Sequence, residues 1–518
     1  MVPLIVIGIY LCIVIYISIF AFRKGKSTGE DFFLASRTIG TLVFFLSLFA
    51  TNMTAFAILG SSGLSYKLGI GVFGLMASSS GFVIPMTLFF IGTRLWALGK
   101  KHGHMTQVQY FRDRWECSDI GTVIFALSVA MLIPYMIISI IGGGRVLAGI
   151  SDGYVNHWQG CLIVAVTVTV IVFFGGMRGT VWVNIFQTIL FLLFGLVAVW
   201  AISRKIDFGA VVEKMGSDPS KPAFNIITRA KLPPEYFWSY TLVPLSSIMF
   251  PHMSIMCLSA RKVSSFKRTV VIYPLAIMAI WLPCVFLGAI GSQMQDINLQ
   301  GGATDMVLLK MLTHYANPLL AGILGAGIIS AVMGSDCHQV LAISTMFTKD
   351  IFSFYGGDKK YGEKGVVYFG RAFILVITVI AYFIALNTDE NIFELAVRFA
   401  FSGFAAMSPV MIAALFWKRS TKWGALASTL VVGGMLVGSY ALSRVYAITD
   451  KAPMKPIWTA GGKQVLSIMN NGDVRFFGMH GVVPMVLFSA LAMILVSLIT
   501  PPPSRATIDK YFPPGEKV

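Results

Sequence analysis

The stretch "FATNMTAFAILGSSG", residues 49–63, places polar residues in the middle of an otherwise apolar run. Thr51, Asn52 and Thr54 interrupt a segment that is long enough to cross a membrane. A second interruption, "MFPHMS" at residues 249–254, lies in a later apolar segment. Unwound backbone is tolerated at membrane depth only where it is buried in protein or lines a cavity. Two such interruptions, at corresponding positions of two halves, therefore predict a binding site near the midplane of a membrane.

The composition of the whole chain is that of a membrane protein. Of its 518 residues, 56% are hydrophobic and only 12% are charged, and its mean hydropathy is +0.78. A helix needs about 20 apolar residues to cross a bilayer, and such runs recur along the chain. We therefore predict an all-α polytopic membrane protein with about thirteen transmembrane helices. These spans are residues 3–22, 40–64, 70–98, 119–150, 156–176, 179–203, 235–259, 269–293, 317–346, 366–387, 389–417, 423–444 and 479–499.

The formal net charge of +17 is explained by membrane topology. Lys and Arg residues cluster in short loops on alternate sides of the predicted spans, as the positive-inside rule expects. The rule predicts a multi-pass protein of the plasma membrane with its N-terminus outside and its C-terminus in the cytoplasm. Nucleic acid is not needed to explain the charge. The six cysteines are scattered without a C-x-x-C spacing, which indicates neither a metal site nor a disulfide framework.

The order of the spans predicts an internal repeat. Spans two to six and seven to eleven form two blocks of five, and because five is odd the second block enters the membrane from the opposite side. The repeat is therefore inverted, and each block begins with an interrupted helix. We expect short surface helices in the two long outer segments, 204–234 and 445–478. The predicted units are a first helix with an inner loop (1–39), the first repeat (40–203), an outer loop (204–234), the second repeat (235–418), two accessory helices with an outer loop (419–500) and a cytoplasmic tail (501–518).

Four motifs resemble the sodium:solute symporter family at the corresponding spans. They are "GEDFFLASRTIG" (29–40), "FFGGMRGTVWVNIFQTILFLLFG" (173–195), "ISAVMGSDCHQVLAISTMFTKDIF" (329–352) and "FWKRSTKWGALAS" (416–428). The resemblance implies the leucine-transporter-like fold with its five-plus-five inverted repeat. The pair Pro251 and His252 is similar to the pantothenate and monocarboxylate branch of the family. Met256 departs from that branch, which often has Arg four residues after the His.

The resemblance also implies a cation site between the first broken helix and the ninth span. Matched residue by residue, the Na⁺ ligands are the carbonyl oxygens of Ala50, Met53 and Ala331 and the hydroxyl of Ser335. A hard cation prefers such oxygen ligands. Two positions depart from the family's pattern, because Gly334 stands where relatives generally have a hydroxyl and Asn184 stands where many have Asp. We expect Asn184 and Asp336 to lie near the bound cation.

Asp336 lies inside an apolar segment, where an ionised carboxylate costs about 2.5–3.5 kcal/mol on insertion scales. Three interpretations remain open. The carboxylate can restore the negative charge that is missing at Asn184 and thereby favour Na⁺. It can instead titrate and couple transport to protons. It can also face a wet inner vestibule and pair with a Lys or Arg.

A second group of polar residues is expected to contact the transported solute. His252 follows the proline of the second interruption and is expected to line the central cavity, or else to form a hydrogen bond between helices. Arg145, in "SIIGGGRVLAGI", can bind a substrate carboxylate, or it can extend to the outer interface. The remaining candidates are side chains that can form hydrogen bonds in a cavity: Thr51, Asn52, Thr54 and Gln187.

These observations predict a secondary active transporter that works by alternating access. The expected coupling ion is Na⁺, with H⁺ as the alternative, and the expected solute is a small organic anion such as a monocarboxylate, or a zwitterion. A transporter-like solute sensor is the rival class, but such chains continue into a kinase and this one ends in a short polar tail. An enzyme would need clustered catalytic residues, and the 7 histidines are dispersed. We expect no cofactor, no nucleic acid and no obligatory protein partner, only the solute and membrane lipid.

Overall fold

The computed structural model describes residues 1–23, 28–151, 153–388, 392–446 and 454–513, and it is built mainly from helices. The first half contains α1 (Val2–Arg23), α2 (Gly29–Leu34), α3 (Thr41–Asn52), α4 (Phe56–Leu68), α5 (Gly71–His102), α6 (Gln107–Trp115), α7 (Ser118–Ile150), α8 (His157–Ser203) and α9 (Phe208–Gly216). The second half contains α10 (Pro234–Met249), α11 (Pro251–Leu258), α12 (Ser264–Gly291), α13 (Val307–Tyr315), α14 (Pro318–Phe352), α15 (Gly357–Leu386), α16 (Ile392–Phe416), α17 (Lys422–Val445), α18 (Val482–Ile499) and α19 (Arg505–Tyr511). The predicted helical membrane architecture is confirmed.

Two helices are broken, as the polar interruptions predicted. α3 and α4 meet at an angle of 61°, and α10 and α11 meet at 51°. Met53 leaves the helical conformation at the first break, with φ −91° and ψ 113°. Phe250 does so at the second, directly before Pro251, whose ring cannot continue a helix from the preceding turn. The first break has no proline, and there the Thr54 hydroxyl accepts a hydrogen bond from the Phe56 amide at 3.0 Å.

The number of membrane spans depends on how α8 is counted. The described residues contain 10 helices that are long and apolar enough to cross a membrane, or 12 if each bent pair is one span. α8 is 47 residues long, and Gly176 inside it has non-helical angles of φ 52° and ψ −151°. A continuous helix of that length would extend about 70 Å, twice the hydrocarbon thickness of a bilayer. The predicted count of thirteen requires that α8 form two spans on either side of Gly176, and it stays a prediction.

α14 lies at the centre of the molecule. It packs against α1, α3, α7 and α8, and it is buried along almost its whole length. A helix that is apolar all round is stable only where protein or lipid surrounds it. α1, α15, α17 and α18 instead expose much of their apolar surface, as helices that face lipid would. The polar residues of α14 are therefore enclosed by other helices.

A small antiparallel sheet corrects the prediction of short helices in the segment 445–478. Its strands are β1 (Met454–Ala460), β2 (Lys463–Met469) and β3 (Val474–Phe476), in the order β1-β2-β3. Gly461 and Gly462, with φ of 57° and 73°, form the turn between the first two strands. A two-residue glycine turn of this kind is a strong hairpin signal, and it determines the local structure here. Residues 447–453 of the segment lie outside the described residues.

The other long segment, 204–234, carries short helices as predicted, namely α9 and a 3-10 turn at Pro222–Ile226. The sheet precedes α18 in the chain and α19 follows it, so the two lie at opposite ends of this helix. We call these two ends of the molecule the sheet face and the tail face. The predicted inner loop, the eleventh span and the tail include residues 24–27, 389–391 and 514–518, which lie outside the described residues.

At the tail face, α2 is tied to the point where α8 changes direction. Arg178 donates a hydrogen bond to the Asp31 carboxylate, which also accepts one from the Ser36 hydroxyl at 2.8 Å. Close by, a Cβ atom placed on Gly176 would lie 2.8 Å from the carbonyl oxygen of Phe32. The contact between α2 and α8 therefore has no room for a side chain at position 176.

The C-terminal helix α19 is docked on the loop helix α6. Lys510 and the Tyr511 hydroxyl both donate to the Asp113 carboxylate. The Tyr511 hydroxyl also lies 3.0 Å from Nε2 of His104. Burial alone would raise the pKa of Asp113, but the hydrogen bonds from Lys510 and Tyr511 outweigh it and hold that pKa below its ordinary value. Burial lowers the pKa of His104 to about 4, so the imidazole is neutral at pH 7.

Gly176→Ala should destabilise the protein by about 1–3 kcal/mol, because the new methyl group meets the Phe32 backbone in a left-handed conformation. Thermal unfolding in detergent measures this change. Gly434→Ala is the matched control, since a Cβ atom at Gly434 meets nothing within 4 Å and alanine is the better helix former. Equal melting temperatures for the two variants would contradict the tight contact.

Asp113→Asn should loosen α19 at neutral pH, because the carboxylate that accepts both hydrogen bonds is lost. Tryptic cleavage after Arg505 and Lys510 should become a few fold faster, the size expected of partly exposed pairs. Because the pKa of Asp113 is depressed, its contribution is present at neutral pH and is lost as the pH falls through that pKa. Wild-type α19 should therefore loosen on acidification. Asp119 is an exposed carboxylate at the same face, so the control variant Asp119→Asn should behave as the wild type.

Candidate functional site

The first break frees backbone carbonyl groups, among them those of Ala50 and Met53. In a continuous helix the Met53 carbonyl would accept a hydrogen bond from the Ala57 amide, but that amide bonds to the Thr54 carbonyl instead, at 2.9 Å. α3 ends at Asn52, so the Ala50 carbonyl lies among the last four of the helix, which lack intrahelical partners unless they are capped. These are the two carbonyl groups that the resemblance assigned to Na⁺.

α14 brings the second half of the predicted cation site to this break. Ala331 and Ser335 are both buried on α14, and the Ser335 hydroxyl accepts a hydrogen bond from the Gln339 amide at 2.7 Å. Between them, a Cβ atom placed on Gly334 would lie 3.7 Å from the Cβ atom of Ala50. α3 and α14 are therefore in direct contact at the level of the freed carbonyl groups.

Two amide oxygens lie close to Gly334, the position at which the family resemblance implied a hydroxyl. A Cβ atom there would lie 3.1 Å from Oε1 of Gln187 and 3.4 Å from Oδ1 of Asn184. Both oxygens are buried and have no hydrogen-bond partner among the described residues. Their amide nitrogens are occupied, because Gln187 donates to the Tyr10 hydroxyl and Asn184 donates to Nδ1 of His338, each at 2.8 Å. Both oxygens are thus unpaired in the described structure, and Gln187, which was predicted to contact the solute, lies against Gly334.

The carboxylate of Asp336 is enclosed on the neighbouring face of α14. The residue is 1% exposed, and its Oδ1 has no hydrogen-bond partner in the part of the chain that the structure describes. No described Lys or Arg forms an ion pair with it, which disfavours the wet-vestibule interpretation. The other two interpretations of Asp336 stay open. His338 is also buried, and its Nε2 lies 3.5 Å from the Ser47 hydroxyl while Nδ1 faces Asn184.

The groups that this junction offers are of the kind that a hard monovalent cation prefers. They are backbone carbonyl, hydroxyl and amide oxygens, and among the described residues no group of three or more His, Cys, Asp or Glu side chains could hold a metal ion. Such a neutral oxygen set suits an ion like Na⁺ better than a transition metal, which takes nitrogen or sulfur ligands.

A small cavity of about 30 Å³ lies beside the junction. Its lining contains no charged side chain, and Met53 belongs both to the lining and to the predicted cation site. A space of this size holds roughly two water molecules. The residues that line it are Asn52, Met53, Phe56, Ala57, Ser80, Ile84, Tyr240, Val243, Pro244, Ser246, Ser247, Phe250, Trp281 and Phe401.

Of the predicted solute-binding residues, only Asn52 lines this cavity, and its amide donates to the Tyr273 hydroxyl at 2.6 Å. Thr51 is buried and its hydroxyl donates to the Ser47 carbonyl. Thr54 caps the start of α4, as described above. His252 is 1% exposed and packs against the ring of Phe250, with both ring nitrogens unpartnered among the described residues. The structure therefore does not gather these residues around one ligand.

Arg145 lies at the sheet face, where it takes part in a set of contacts between helices. Its guanidinium donates to the Asp305 carboxylate and to the Gly302 carbonyl, each at 3.2 Å. Asp305 also accepts a hydrogen bond from the Ile392 amide at 2.9 Å. A Cβ atom on Gly63 would lie only 2.5 Å from the same carboxylate. We call these contacts the sheet-face latch, because they join α4, α7, the Gly301–Met306 turn and α16.

Two residues near the site were not predicted from the sequence. Tyr135 on α7 is buried near the Thr54 and Ser335 hydroxyls, and its own hydroxyl has no hydrogen-bond partner among the described residues. Trp281 on α12 lines the cavity, and its indole nitrogen is buried without a partner in the described structure. Both lie inside apolar spans, where an aromatic residue is typical of core packing. The sequence signal for a role at the site was the polar atom that each side chain carries.

Comparison with known proteins agrees with this architecture. A family model described as "Sodium:solute symporter family" matches residues 32–433. The sodium/pantothenate symporter of Haemophilus influenzae is 25% identical over 501 residues, covering 94% of each chain. The sodium/pantothenate symporter of Escherichia coli is 26% identical over 508 residues, again covering 94% of each chain. The sodium/proline symporter of Haemophilus influenzae is 25% identical over 531 residues, covering 98% of this chain and 96% of its own.

Solved structures share the fold. A Na⁺-coupled sialic acid symporter in a substrate-bound outward-open state superposes with a TM-score of 0.76 at 14% identity, covering 98% of this chain and 99% of that chain. A nucleobase-cation-symport-1 family transporter in a closed conformation gives a TM-score of 0.58 at 12% identity, covering 94% and 99%. At these identities the likeness concerns the fold alone. Because the family model covers most of the chain, the protein belongs to the sodium:solute symporter family and is a membrane transporter rather than an enzyme.

Proposed function

We propose that the protein is a Na⁺-coupled symporter that moves a small organic solute across the plasma membrane by alternating access. The observation that carries this proposal is the meeting of oxygen ligands from the first break and α14 directly beside a cavity. Met53 belongs to both places, since its carbonyl is freed by the break and the residue lines the cavity. A cation bound at the junction would therefore act on the wall of the solute chamber.

The proposed Na⁺ ligands combine the predicted set with the amide oxygens at Gly334. The set is Ala50, Met53, Ala331 and Ser335, with Asn184 and Gln187 supplying oxygens in place of the missing hydroxyl. This assigns Gln187 to the cation instead of the solute. The buried carboxylate of Asp336 would add negative charge near the ion, as the compensation interpretation requires.

Coupling follows from where these ligands reside. Two carbonyl groups belong to the broken helix α3/α4, and the other backbone and hydroxyl ligands belong to α14. An ion that bridges them stabilises the conformation in which the two elements touch, and a ligand shifts an equilibrium only through such differential binding. Opening toward one face requires that the sheet-face latch separate, and opening toward the other requires that α2 and the α3 end of the broken helix move.

The solute is proposed to be a small organic anion such as a monocarboxylate, or a zwitterion. The relatives named above carry pantothenate or proline in their names, and both compounds have a carboxylate. The chamber is uncharged and five of its lining residues are aromatic, which favours a solute with an apolar body. The proposed orientation follows the positive-inside rule, with the N-terminus outside and the tail face in the cytoplasm.

A proton-coupled symporter is the second candidate, and one observation favours it. Asp336 is a buried carboxyl group without an ion-pair partner among the described residues, and such groups are rare inside membranes unless they serve ion movement. Protonation would remove its charge during the transport cycle, so that H⁺ could take the place of Na⁺.

Ser335→Ala should raise the Na⁺ concentration that gives half-maximal uptake by about ten- to a hundredfold, because one ligand of the cation is removed. The measurement is solute uptake into proteoliposomes at increasing Na⁺, with the Na⁺-induced rise in melting temperature as a second readout. Thr345→Val, on the same helix, is the control, because its hydroxyl is satisfied by the Leu341 carbonyl. An unchanged Na⁺ dependence in Ser335→Ala would remove this residue from the site.

Asp336→Asn separates the two coupling ions. If Na⁺ is the coupling ion, the variant should keep Na⁺-driven uptake from about pH 6 to about pH 8, with a few fold weaker apparent Na⁺ affinity because nearby negative charge is lost. Uptake that a pH gradient drives without Na⁺ in the wild type, and that Asp336→Asn abolishes, would instead establish proton coupling. Asp296→Asn removes an exposed carboxylate and should leave both behaviours as they are.

A further inference from the structure

We propose that Trp281 is a residue that determines solute specificity, with its indole N–H donating a hydrogen bond to an oxygen of the bound solute. This inference rests on the proposed transport function, and it identifies the chemical group that the chamber recognises. The solute class that follows is a small carboxylate with an apolar body and without an ammonium group.

The first observation is the unsatisfied indole. Trp281 is 2% exposed on α12, and its Nε1 has no hydrogen-bond partner in the described structure. An indole nitrogen can only donate, and a buried donor without an acceptor is costly. In this proposal, a solute bound in the chamber that Trp281 lines supplies the missing acceptor.

The second observation is the character of the other walls. Phe56, Phe250 and Phe401 form a connected group, with ring centroids 4.8 Å apart for Phe56 and Phe401 and 5.6 Å apart for Phe250 and Phe401. Tyr240 closes the same chamber. Such rings favour the apolar part of a ligand, and a few polar groups then fix its orientation. An apolar body that packs against these rings from the chamber would leave its polar end available to Trp281.

The third observation is the absence of charge in the chamber lining. No Asp or Glu side chain is among the lining residues, so a substrate ammonium group would have no carboxylate to pair with. Two interactions can offset the cost of removing a substrate carboxylate from water. It can accept a hydrogen bond from the Trp281 indole, and it can lie near a Na⁺ held at Met53. The hydroxyls of Ser80 and Ser246 line the same space and can donate as well. The chamber lining therefore selects solutes that carry a hydrogen-bond acceptor, and it offers no charged side chain to pair with a charged solute.

Trp281→Phe tests this in the full-length protein in proteoliposomes. The variant keeps an aromatic ring and removes only the donor. The probes are labelled propionate, butyrate and pantothenate as carboxylates, proline as a zwitterion and glucose as a neutral polyol, each with and without a Na⁺ gradient. We expect Na⁺-driven uptake of at least one carboxylate, and a rise of its KM by about ten- to a hundredfold in Trp281→Phe, the usual effect of removing a hydrogen bond to a charged group.

The Na⁺ dependence serves as the internal control. The half-saturating Na⁺ concentration and the Na⁺-induced rise in melting temperature should stay at wild-type values in Trp281→Phe, which shows that the variant is folded and that its cation site is intact. Trp238→Phe is the matched variant, since Trp238 is 70% exposed and should change nothing.

The outcomes separate this inference from the proposed function. An unchanged carboxylate KM in Trp281→Phe would overturn the role of the indole, and Na⁺-driven uptake of proline or glucose without any carboxylate would overturn the solute class. A wild-type protein in which Na⁺ changes neither uptake nor melting temperature would contradict the Na⁺-coupled function itself. A raised carboxylate KM together with unchanged Na⁺ values supports the proposal.

Discussion

A carbonyl group that has lost its helical hydrogen bond cannot remain in hydrocarbon without a cost of several kcal/mol. The break at Met53 creates such groups in the interior of this molecule, and the surrounding helices enclose them away from lipid. α14 is buried against the break, Gly334 lets it approach α3 closely, and the amide oxygens of Asn184 and Gln187 lie beside this contact. In the proposed function, the unpaired oxygens that would be costly in lipid serve as ligands of the cation. Fold and proposed function thus depend on one local interruption of a helix.

Much of the fold could be predicted from the sequence because membrane crossing imposes length and composition on each helix. Both helix breaks follow from local signals, namely polar residues at 51, 52 and 54 in one and a proline at 251 in the other. The sheet at the sheet face was not predicted, because long polar loops between spans favoured the expectation of surface helices. Gly461 and Gly462 are nevertheless a hairpin signal in the sequence. The kink in α8 at Gly176 lies at the predicted boundary between the spans 156–176 and 179–203, although nothing in the sequence shows which glycine there has a positive φ.

The candidate site was less accessible from the sequence, because its contacts join residues far apart in the chain. His338 and Asn184 are hydrogen-bonded across 154 positions, and no pattern in either segment predicts the pair. Gln187 was expected at the solute, but its side chain turns toward Gly334 on α14. Tyr135 and Trp281 carry polar atoms on large apolar rings, so the membrane pattern hides them. The ligands at the break that the family resemblance implied are backbone carbonyl groups. Their positions depend on the fold more than on the identity of the side chains.

The uncharged lining of the chamber has an electrical consequence. One Na⁺ that crosses together with a monoanion carries no net charge, so the membrane potential does no work on the pair, and each tenfold Na⁺ gradient supports about tenfold accumulation. One Na⁺ with a zwitterion moves a positive charge, to which a potential of 100 mV contributes about 2.3 kcal/mol, or about fiftyfold accumulation. The chamber walls add no charge of their own to either pair. For a transport cycle that moves one Na⁺ per solute, the current that accompanies uptake is therefore set by the charge of the solute, and uptake of a monocarboxylate would not depend on the membrane potential.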